Sequence, residues 1–426
     1  MAVRPNLSFE QGVNLTRRLY GLEDAVCLQE FFSYDNQNLL IEARRPQNKD
    51  ALNHHHQPRE KFVLKLTNSE DSKLFILYKQ INDVLLTLKE AGIPCTIPLT
   101  NIEGKHITLE KLSFENRDTG KDETGMFLVR LMKFIPGQFI KGASVLTGKM
   151  CYEAGQLLGQ LSLAFQKYDG DLSEFALHAE EFIWSIRSMP RVEQHLHLVQ
   201  DDTHKELVKE VIQAFKEKVL SQEHKFTRGL IHGDFNDYNI LVKEEKSLSS
   251  HQCSDTKDKD VVGILDFDDT VYSSTVYDVA TAMMYIMQCA NLEHKPLKSG
   301  GLLLAGYLSK QCLSEEEFEV IYYCVAGRLV QSLVLGLYTF SQQPHNDYLL
   351  STQVKGWEAC DADTTFVEPL VAAITSDHEC PDIWFFTEAI QDLIVAPWRT
   401  EEGRLNLLAS SGKYVPVPPQ NPIGLW

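Results

Sequence analysis

The 426-residue sequence has no unbroken apolar run close to the ~18–20 residues that a membrane-spanning helix needs. Its first twenty residues, MAVRPNLSFEQGVNLTRRLY, lack the apolar centre of a secretory signal. The nine cysteines are scattered and form no CxxC pair, which is typical of reduced, mostly buried thiols in an intracellular protein. We therefore expect a cytoplasmic protein with no membrane partner. Arg17 and Arg18, in a segment with few acids, leave a mitochondrial location as the alternative.

Positive charge is also scarce, since 41 Lys and Arg stand against 59 Asp and Glu and the net charge is −18. Proteins bind nucleic acid by neutralising phosphates with Lys and Arg, so no nucleic-acid partner is expected. An acidic protein favours a small cationic substrate. Solubility alone is the alternative explanation of the same charge.

The predicted elements are β-rich first and helical second, which indicates an α+β fold with two or three domains or lobes. With 43% hydrophobic residues, the chain has ample material for a large core. The pattern predicts an amphipathic helix over residues 8–30, followed by a strand, a polar turn and a second strand in FFSYDNQNLLIEARR. Further predicted elements are a strand at 61–68, a helix at 72–91, strands around 97–100, 105–112 and 126–134, and mainly helices from about 145 to 227 and from 276 to 358.

Three polar or irregular segments are not expected to join the core. Residues 46–60 include His54, His55 and His56, but no second ligand cluster has zinc-like spacing, so we interpret them as a solvated loop insertion. Residues 244–260 are rich in charge and Ser and are predicted to form a mobile loop. Residues 359–426 lack a clear helical stripe and are predicted to form a loosely ordered tail.

The segment LIHGDFNDYNILV, residues 230–242, places Asp234 and Asn239 five residues apart between two strand-like pieces. A phosphoryl-transfer enzyme needs a carboxylate near the attacking hydroxyl and oxygen ligands for a divalent metal. GILDFDD then supplies Asp266 after another apolar strand. Because Mg²⁺ takes few carboxylates beside phosphate oxygens and water, we predict Asp234 as the catalytic base, with Asn239 and Asp266 on Mg²⁺.

Two neighbouring residues are predicted to support this loop. His232 is expected to brace it by hydrogen bonds rather than to transfer protons. Asp278, in VYDVATAMMYIM, is expected to act structurally, either as a helix N-terminal cap or by holding the catalytic loop.

These segments resemble the aminoglycoside phosphotransferase and choline kinase-like family, a branch of the protein-kinase-like fold. HGDFNDYN resembles its catalytic loop, and GILDFDDTVYSSTVYDVA resembles its metal loop with the helix that follows. The resemblance runs from about residue 8 to Trp357. It implies a bilobal architecture, with a nucleotide-binding lobe at 8–135 and a catalytic and substrate lobe at 136–358.

The resemblance also implies nucleotide-binding residues. It assigns contact with the nucleotide phosphates to the strand lysine, covering of the nucleotide to the turn SYDNQN, and contact with the base to the hinge. The residues in these roles are Lys65 on the strand, Ser33, Tyr34, Asp35 and Asn36 in the turn, and Met132 and Phe134 in the hinge.

The implied reaction is phosphoryl transfer from GTP or ATP, with Mg²⁺, to a hydroxyl on a small cationic amino alcohol. Segments such as AGRLVQSLVLGLY resemble the branch that phosphorylates 5-hydroxylysine with GTP. Choline, ethanolamine or an aminoglycoside with ATP remains open, and so does an inactive nucleotide-binding protein. The preference for GTP over ATP comes from the resemblance alone.

The sequence departs from the family pattern at two places near the phosphates. The helix after Lys65 reads LYKQINDV where a glutamate partner is expected, and the candidates to replace it are Glu70, Asp71 and Asp83. Asp268 stands where the family often has Gly. An added carboxylate there is expected either to raise metal affinity or to repel phosphate.

Overall fold

Two lobes follow one another along the chain in the computed structural model, a β-sheet lobe and then a helical lobe. The structure describes residues 3–33, 35–45, 58–115, 120–243, 259–342, 350 and 352–360. Tyr34, the histidine run at 54–56, residues 244–258 of the predicted mobile loop and residues 361–426 of the predicted tail lie outside the described residues.

The small lobe contains a five-stranded antiparallel sheet with the strand order β1–β2–β3–β5–β4. Apolar residues at every second position of β2 and β3 face helix α1, because successive side chains of a strand point to opposite faces. The strands are β1 (Glu23–Phe31), β2 (Gln37–Arg44), β3 (Glu60–Leu66), β4 (Thr108–Glu115) and β5 (Asp122–Lys133), and the helices are α1 (Phe9–Tyr20) and α2 (Phe75–Glu90).

The predicted helix over residues 8–30 is wrong beyond Tyr20. Ser8 and Gln11 form a capping box at the start of α1, and Gly21 ends the helix in the left-handed region at φ 64°. Glycine adopts that conformation without the Cβ clash that other residues suffer. The chain then continues as β1, because its backbone groups find partners along β2.

The predicted strand around 97–100 is also wrong, since only Pro98 makes an isolated bridge, to Met132. Ile97 and Leu99 each form one backbone hydrogen bond with β5, to Lys133 and Leu131, but no strand forms at 97–100. The predicted helix at 72–91 and the strand at 126–134 are present as α2 and the end of β5.

The large lobe is built around helices, with two small sheets at its junction with the small lobe. One sheet has the order β6–β8–β9 and the other pairs β7 with β10. The strands are β6 (Gln138–Phe139), β7 (Arg228–Ile231), β8 (Ile240–Val242), β9 (Val261–Ile264) and β10 (Val271–Ser274). The helices are α3 (Gly148–Phe165), α4 (Ser173–Glu181), α5 (Asp202–Ala214), α6 (Thr275–Met287), α7 (Pro296–Leu308), α8 (Glu315–Gln342) and α9 (Gln353–Cys360).

Helix α8 is long and apolar enough to cross a membrane by length and composition, and it is the one such helix among the described residues. In the fold, 89% of its most apolar window is buried inside the protein. Its apolar character therefore matches its place in the core of the large lobe.

Two hydrophobic cores meet the functional region from opposite sides. One lies between α1 and the sheet. The other joins α2 and the opposite face of the sheet to the helices of the large lobe. Because α2 packs into this second core, the two lobes share buried apolar surface, and the short strands β7, β8 and β9 lie where they meet.

The crossing of α3 and α7 depends on two glycines. A Cβ at Gly306 would lie 1.9 Å from the carbonyl oxygen of Tyr152, and one at Gly155 would lie 1.8 Å from that of Leu303. The helix backbones therefore touch, and no side chain fits between them.

We expect Gly306→Ala to lower the free energy of unfolding by about 1–3 kcal/mol, although alanine is the better helix former, because the helices must separate. Urea denaturation of both proteins measures the change. Gly142→Ala is the matched control, since an added Cβ there meets nothing within 4 Å. Equal stability of the Gly306→Ala and Gly142→Ala proteins would contradict the close-packing argument.

Candidate active site

The catalytic-loop segment lies between β7 and β8, and its conformation requires a glycine. Gly233 has φ 82°, and a Cβ there would lie 2.2 Å from the backbone oxygen of Asp269. The carboxylate of Asp278 on α6 accepts hydrogen bonds from the backbone N–H groups of His232, at 2.7 Å, and Gly233, at 2.9 Å. Ser274 occupies the N-cap of α6, so Asp278 holds the loop and does not cap the helix.

The ring of His232 is fully buried and bonded at both nitrogens. Its Nδ1 accepts the backbone N–H of Asp234 at 3.2 Å, and its Nε2 lies 2.9 Å from the carbonyl oxygen of Leu265. Since Nδ1 accepts and Nε2 faces an acceptor, the neutral ring with a proton on Nε2 satisfies both bonds. His232 therefore ties the catalytic loop to the segment after β9.

The carboxylate of Asp234 is fixed at both oxygens but remains partly exposed. Its Oδ1 lies 3.1 Å from Nη2 of Arg328, and its Oδ2 accepts from the side-chain amides of Asn236, at 2.7 Å, and Asn239, at 3.1 Å. The amide nitrogen of Asn239 also donates to the backbone oxygen of Asp234 at 2.8 Å. With its nitrogen turned to Asp234, Asn239 can present its oxygen to a metal ion.

Asp266 lies in the loop after β9, close to Asn239. The backbone N–H of Leu265 donates to the carbonyl oxygen of Asn239 at 2.8 Å, which holds the two loops together. Asp266 has φ 55°, an uncommon conformation for a residue other than glycine, and its side chain is 43% exposed. Strained backbone of this kind is often found at functional sites.

The residues present suit a hard divalent cation. Asn239 and Asp266 offer an amide oxygen and a carboxylate, which is the small protein share that Mg²⁺ takes beside phosphate and water. The ammonium of Lys65 lies 2.6 Å from Oδ1 of Asp266, so this carboxylate already faces a positive charge.

The partners of Lys65 correct one expectation from the sequence. None of Glu70, Asp71 and Asp83 pairs with Lys65; its partners are Asp266 and Asp268, the latter at 2.9 Å.

Asp268 also accepts two hydrogen bonds from Nη2 of Arg130, at 2.7 and 2.8 Å. Its charge is therefore matched by two cations, Lys65 and Arg130.

The pKa values of the neighbouring acids move in opposite directions. Burial raises the pKa of Asp268, but the adjacent Arg130 and Lys65 outweigh it and lower that pKa to about 2. Burial and the nearby carboxylates, Asp234 first among them, raise the pKa of Asp269 well above its ordinary value. Asp268 is therefore held as an anion, while Asp269 favours a proton or another positive charge.

The turn predicted to cover the nucleotide is anchored to the end of β3. Oδ1 of Asn36 accepts the backbone N–H of Asn68 at 2.8 Å. The amide of Asn68 donates to Asp35, at 2.9 Å, and to Asp71, at 2.6 Å, so one amide bridges two carboxylates. Ser33 lies in the same turn, at its start.

The two hinge residues lie at the end of β5. Met132 is buried and pairs with Val63 of β3. The ring of Phe134 stacks on Phe31 of β1, with centroids 6.3 Å apart and planes within 2°. The end of β5 therefore carries a stacked pair of aromatic rings.

Sequence reasoning missed the two arginines of the site, Arg130 and Arg328. Both are almost completely buried, and Arg328 lies between the rings of Trp184 and Tyr285, 5.5 and 5.6 Å from their centroids. A signal was present, because each arginine has only apolar residues for at least two positions on either side, in FLVRLM or as the only charge of AGRLVQSLVLGLY, except for the glycine before Arg328. An unpaired buried charge is costly, so each predicts an acidic partner somewhere in the fold.

A β-sheet lobe with a buried lysine, above a loop that carries Asp and Asn five residues apart, defines a kinase-like phosphotransferase with an alcohol group as acceptor. The chain belongs to the phosphotransferase enzyme family, whose model matches residues 47–293. The predicted fold and enzyme class are thereby confirmed.

Individual relatives agree with this assignment. The chain is 33% identical to a hydroxylysine kinase of Bos taurus over 359 residues, covering 83% of this chain and 89% of that one. It is 32% identical to a hydroxylysine kinase of Mus musculus, covering 84% and 89% of the two chains.

Solved structures share the fold at lower identity. An amicoumacin kinase in complex with AMP-PNP, Ca²⁺ and amicoumacin superposes with a TM-score of 0.52 at 16% identity, covering 83% of this chain and 92% of that one. A microcompartment-associated aminopropanol kinase gives 0.53 at 16% identity, covering 82% and 95%.

Asp35 in this turn, together with the nearby Asp71, predicts a pH dependence of stability. Burial and the nearby Asp71 raise the pKa of Asp35 from 3.8 to about 7. The folded protein therefore holds this proton more tightly than the unfolded chain. The stability that the proton contributes is complete below pH 3.8 and is lost as the pH rises through about 7.

We expect the stability of Asp35→Asn, relative to the parent protein, to increase between about pH 4 and pH 7 and then to level off, because the amide cannot ionise. Chemical denaturation across this range measures the difference. Asp83→Asn, at an exposed position of α2, is the control. A difference that stays constant with pH would rule out the raised pKa.

Proposed function

We propose that this phosphotransferase transfers the γ-phosphate of GTP, with Mg²⁺, to the side-chain hydroxyl of 5-hydroxy-L-lysine. The observation that carries the proposal is the convergence of Asp234, Asn239 and Asp266 at the lobe junction, next to Lys65. The hydroxylysine kinases of Bos taurus and Mus musculus, related over more than four-fifths of this chain, support the choice of acceptor.

Asp234 acts as the general base in this reaction. The acceptor hydroxyl donates its proton to the carboxylate while its oxygen attacks the γ-phosphorus. The bond from that phosphorus to the oxygen of the β-phosphate breaks, and GDP leaves with the electron pair. Arg328 holds Oδ1 of Asp234 and the amides of Asn236 and Asn239 hold Oδ2, so the carboxylate keeps its orientation. A fixed base orients the nucleophile before the reaction begins.

Three further residues act on the nucleotide. Asn239 and Asp266 would hold Mg²⁺, which would neutralise charge that develops on the transferred phosphoryl group. Lys65 is placed to pair with phosphate oxygens, since its ammonium already lies against the Asp266 carboxylate. GTP is the proposed donor and ATP the alternative, because the described residues around Phe31 and Phe134 offer ring stacking, which does not distinguish the bases.

The charge around Asp234 suits an acceptor with an ammonium group. Asp269 lies against Gly233, and within the described part of the chain its carboxylate accepts no hydrogen bond. In 5-hydroxylysine the ε-ammonium is on the carbon next to the one that bears the hydroxyl. Binding the hydroxyl at Asp234 therefore brings positive charge into an acidic region, where it is favoured.

A substrate panel tests the acceptor and the donor together. We expect the largest kcat/KM with 5-hydroxylysine and GTP in a coupled turnover assay that also includes choline, ethanolamine, an aminoglycoside and ATP. A larger kcat/KM for another acceptor or for ATP would replace that part of the proposal. Nucleotide binding without turnover on any acceptor would indicate an inactive nucleotide-binding protein.

Asp234→Asn tests the base. We expect kcat to fall by at least about 100-fold, because the amide cannot accept the proton, while the Kd for nucleotide stays nearly unchanged. Steady-state kinetics and calorimetric nucleotide binding measure the two effects. Asp202→Asn, at a side chain that is 94% exposed, is the control and should leave both values unchanged. Retained turnover in Asp234→Asn would exclude Asp234 as the base.

A further inference from the structure

The nucleotide lysine has an unusual set of neighbours for a kinase-like fold. In protein kinases the lysine of the third strand pairs with a glutamate on the following helix, and that pair must be formed for activity. In this structure α2 presents the ring of Tyr78 toward the site, and the ring centroid lies 4.8 Å from Cζ of Arg130. The acidic partner of Lys65 must therefore come from elsewhere.

We propose that Asp268 is the positioning residue for Lys65, and that Asp268 and Arg130 together replace the helix glutamate. The proposal rests on the phosphotransferase function given above. It makes the orientation of Lys65 depend on the loop of the large lobe that also carries Asp266.

The register of β3 and β5 places two buried cations side by side, and they require an acidic partner such as Asp268. Lys65 and Arg130 are directly paired residues of β3 and β5, so their side chains leave the sheet on the same face. Their side chains are only 9% and 1% exposed. Two neighbouring buried cations repel each other unless an anion lies between them, and Asp268 contacts both.

Tyr78 and Asp268 fix Arg130 from two sides. The guanidinium lies over the tyrosine ring and donates to both oxygens of the Asp268 carboxylate. Helix α2 therefore still contributes to the position of Lys65, but through Arg130 and without a charge of its own.

Asp266 and Asp268, the two acidic partners of Lys65, have different roles in this proposal. Asp266 is 43% exposed and is the proposed metal ligand, whereas Asp268 is 11% exposed and is held by Arg130. With metal and nucleotide bound, Asp266 would serve as a metal ligand and Lys65 would pair with phosphate. Asp268 remains beside Lys65 throughout and sets the direction of its ammonium.

A double-mutant cycle between Asp268→Asn and Lys65→Met tests this role. We expect Asp268→Asn to weaken binding of a fluorescent GTP analogue about 10-fold and to lower kcat about 100-fold, since small displacements of positioning groups have effects of this size. The KM for the acceptor should stay within about 2-fold. In the Lys65→Met background, Asp268→Asn should have no further effect on either quantity, because it acts through Lys65.

Rescue provides a second readout that a purely structural role would not show. Tyr78→Glu places a carboxylate on α2, and in the Asp268→Asn background it should recover part of the nucleotide affinity. Asp83→Asn, which removes a carboxylate from an exposed position of the same helix, should change nothing. If Asp268→Asn fails to fold, Arg130→Gln combined with Asp268→Asn removes one buried cation together with the acid and takes its place in the cycle.

Independent, additive effects of Asp268→Asn and Lys65→Met would overturn the proposal, and so would unchanged nucleotide affinity in a folded Asp268→Asn protein. Nucleotide affinity needs no acceptor, so this part of the test stands even if 5-hydroxylysine proves not to be the substrate. Absence of turnover in the parent protein contradicts the proposed function. Additive effects of the substitutions at positions 65 and 268 in the double-mutant cycle contradict only the present inference.

Discussion

The buried carboxylate of Asp268, shared between Lys65 and Arg130, is the interaction on which the junction of the two lobes depends. Three charges lie in a region that water hardly reaches, and each is tolerated only because the others are present. Lys65 and Arg130 belong to the sheet of the small lobe, whereas Asp268 follows β9 of the large lobe. The ion pairs therefore link the sheet of the small lobe to the loop after β9 of the large lobe.

The same principle operates on the other side of the site. Arg328 extends from the apolar helix α8 to Asp234, and its guanidinium also donates to the carbonyl oxygen of Trp184. A helix that is apolar almost throughout can carry this charge because its partner comes from the catalytic loop. Both arginines thus connect the hydrophobic framework to acidic side chains of the candidate site, Arg130 to Asp268 and Arg328 to Asp234.

Elements were predictable from the sequence wherever their apolar residues recurred at a regular spacing and a Gly or Pro marked the end. The apolar repeat of α2 and the Gly and Pro after it marked that helix. The prediction failed at residues 21–30, where β1 carries few buried side chains and is recognisable only by its pairing with β2. An edge strand of this kind has a weak local signal, because its stability comes from hydrogen bonds to a neighbour.

The sequence by itself determined the catalytic loop, since Asp234, His232 and Asn239 are close along the chain and their hydrogen bonds span two to five residues. Local spacing is enough to bring such groups together. Only the tertiary structure decided the counter-ions, because Arg328 meets Asp234 across 94 residues, Arg130 meets Asp268 across 138, and Lys65 meets Asp266 across 201. A charged residue within an apolar run indicates that an oppositely charged partner must exist. Which residue becomes that partner depends on how sheet, loop and helix pack in space.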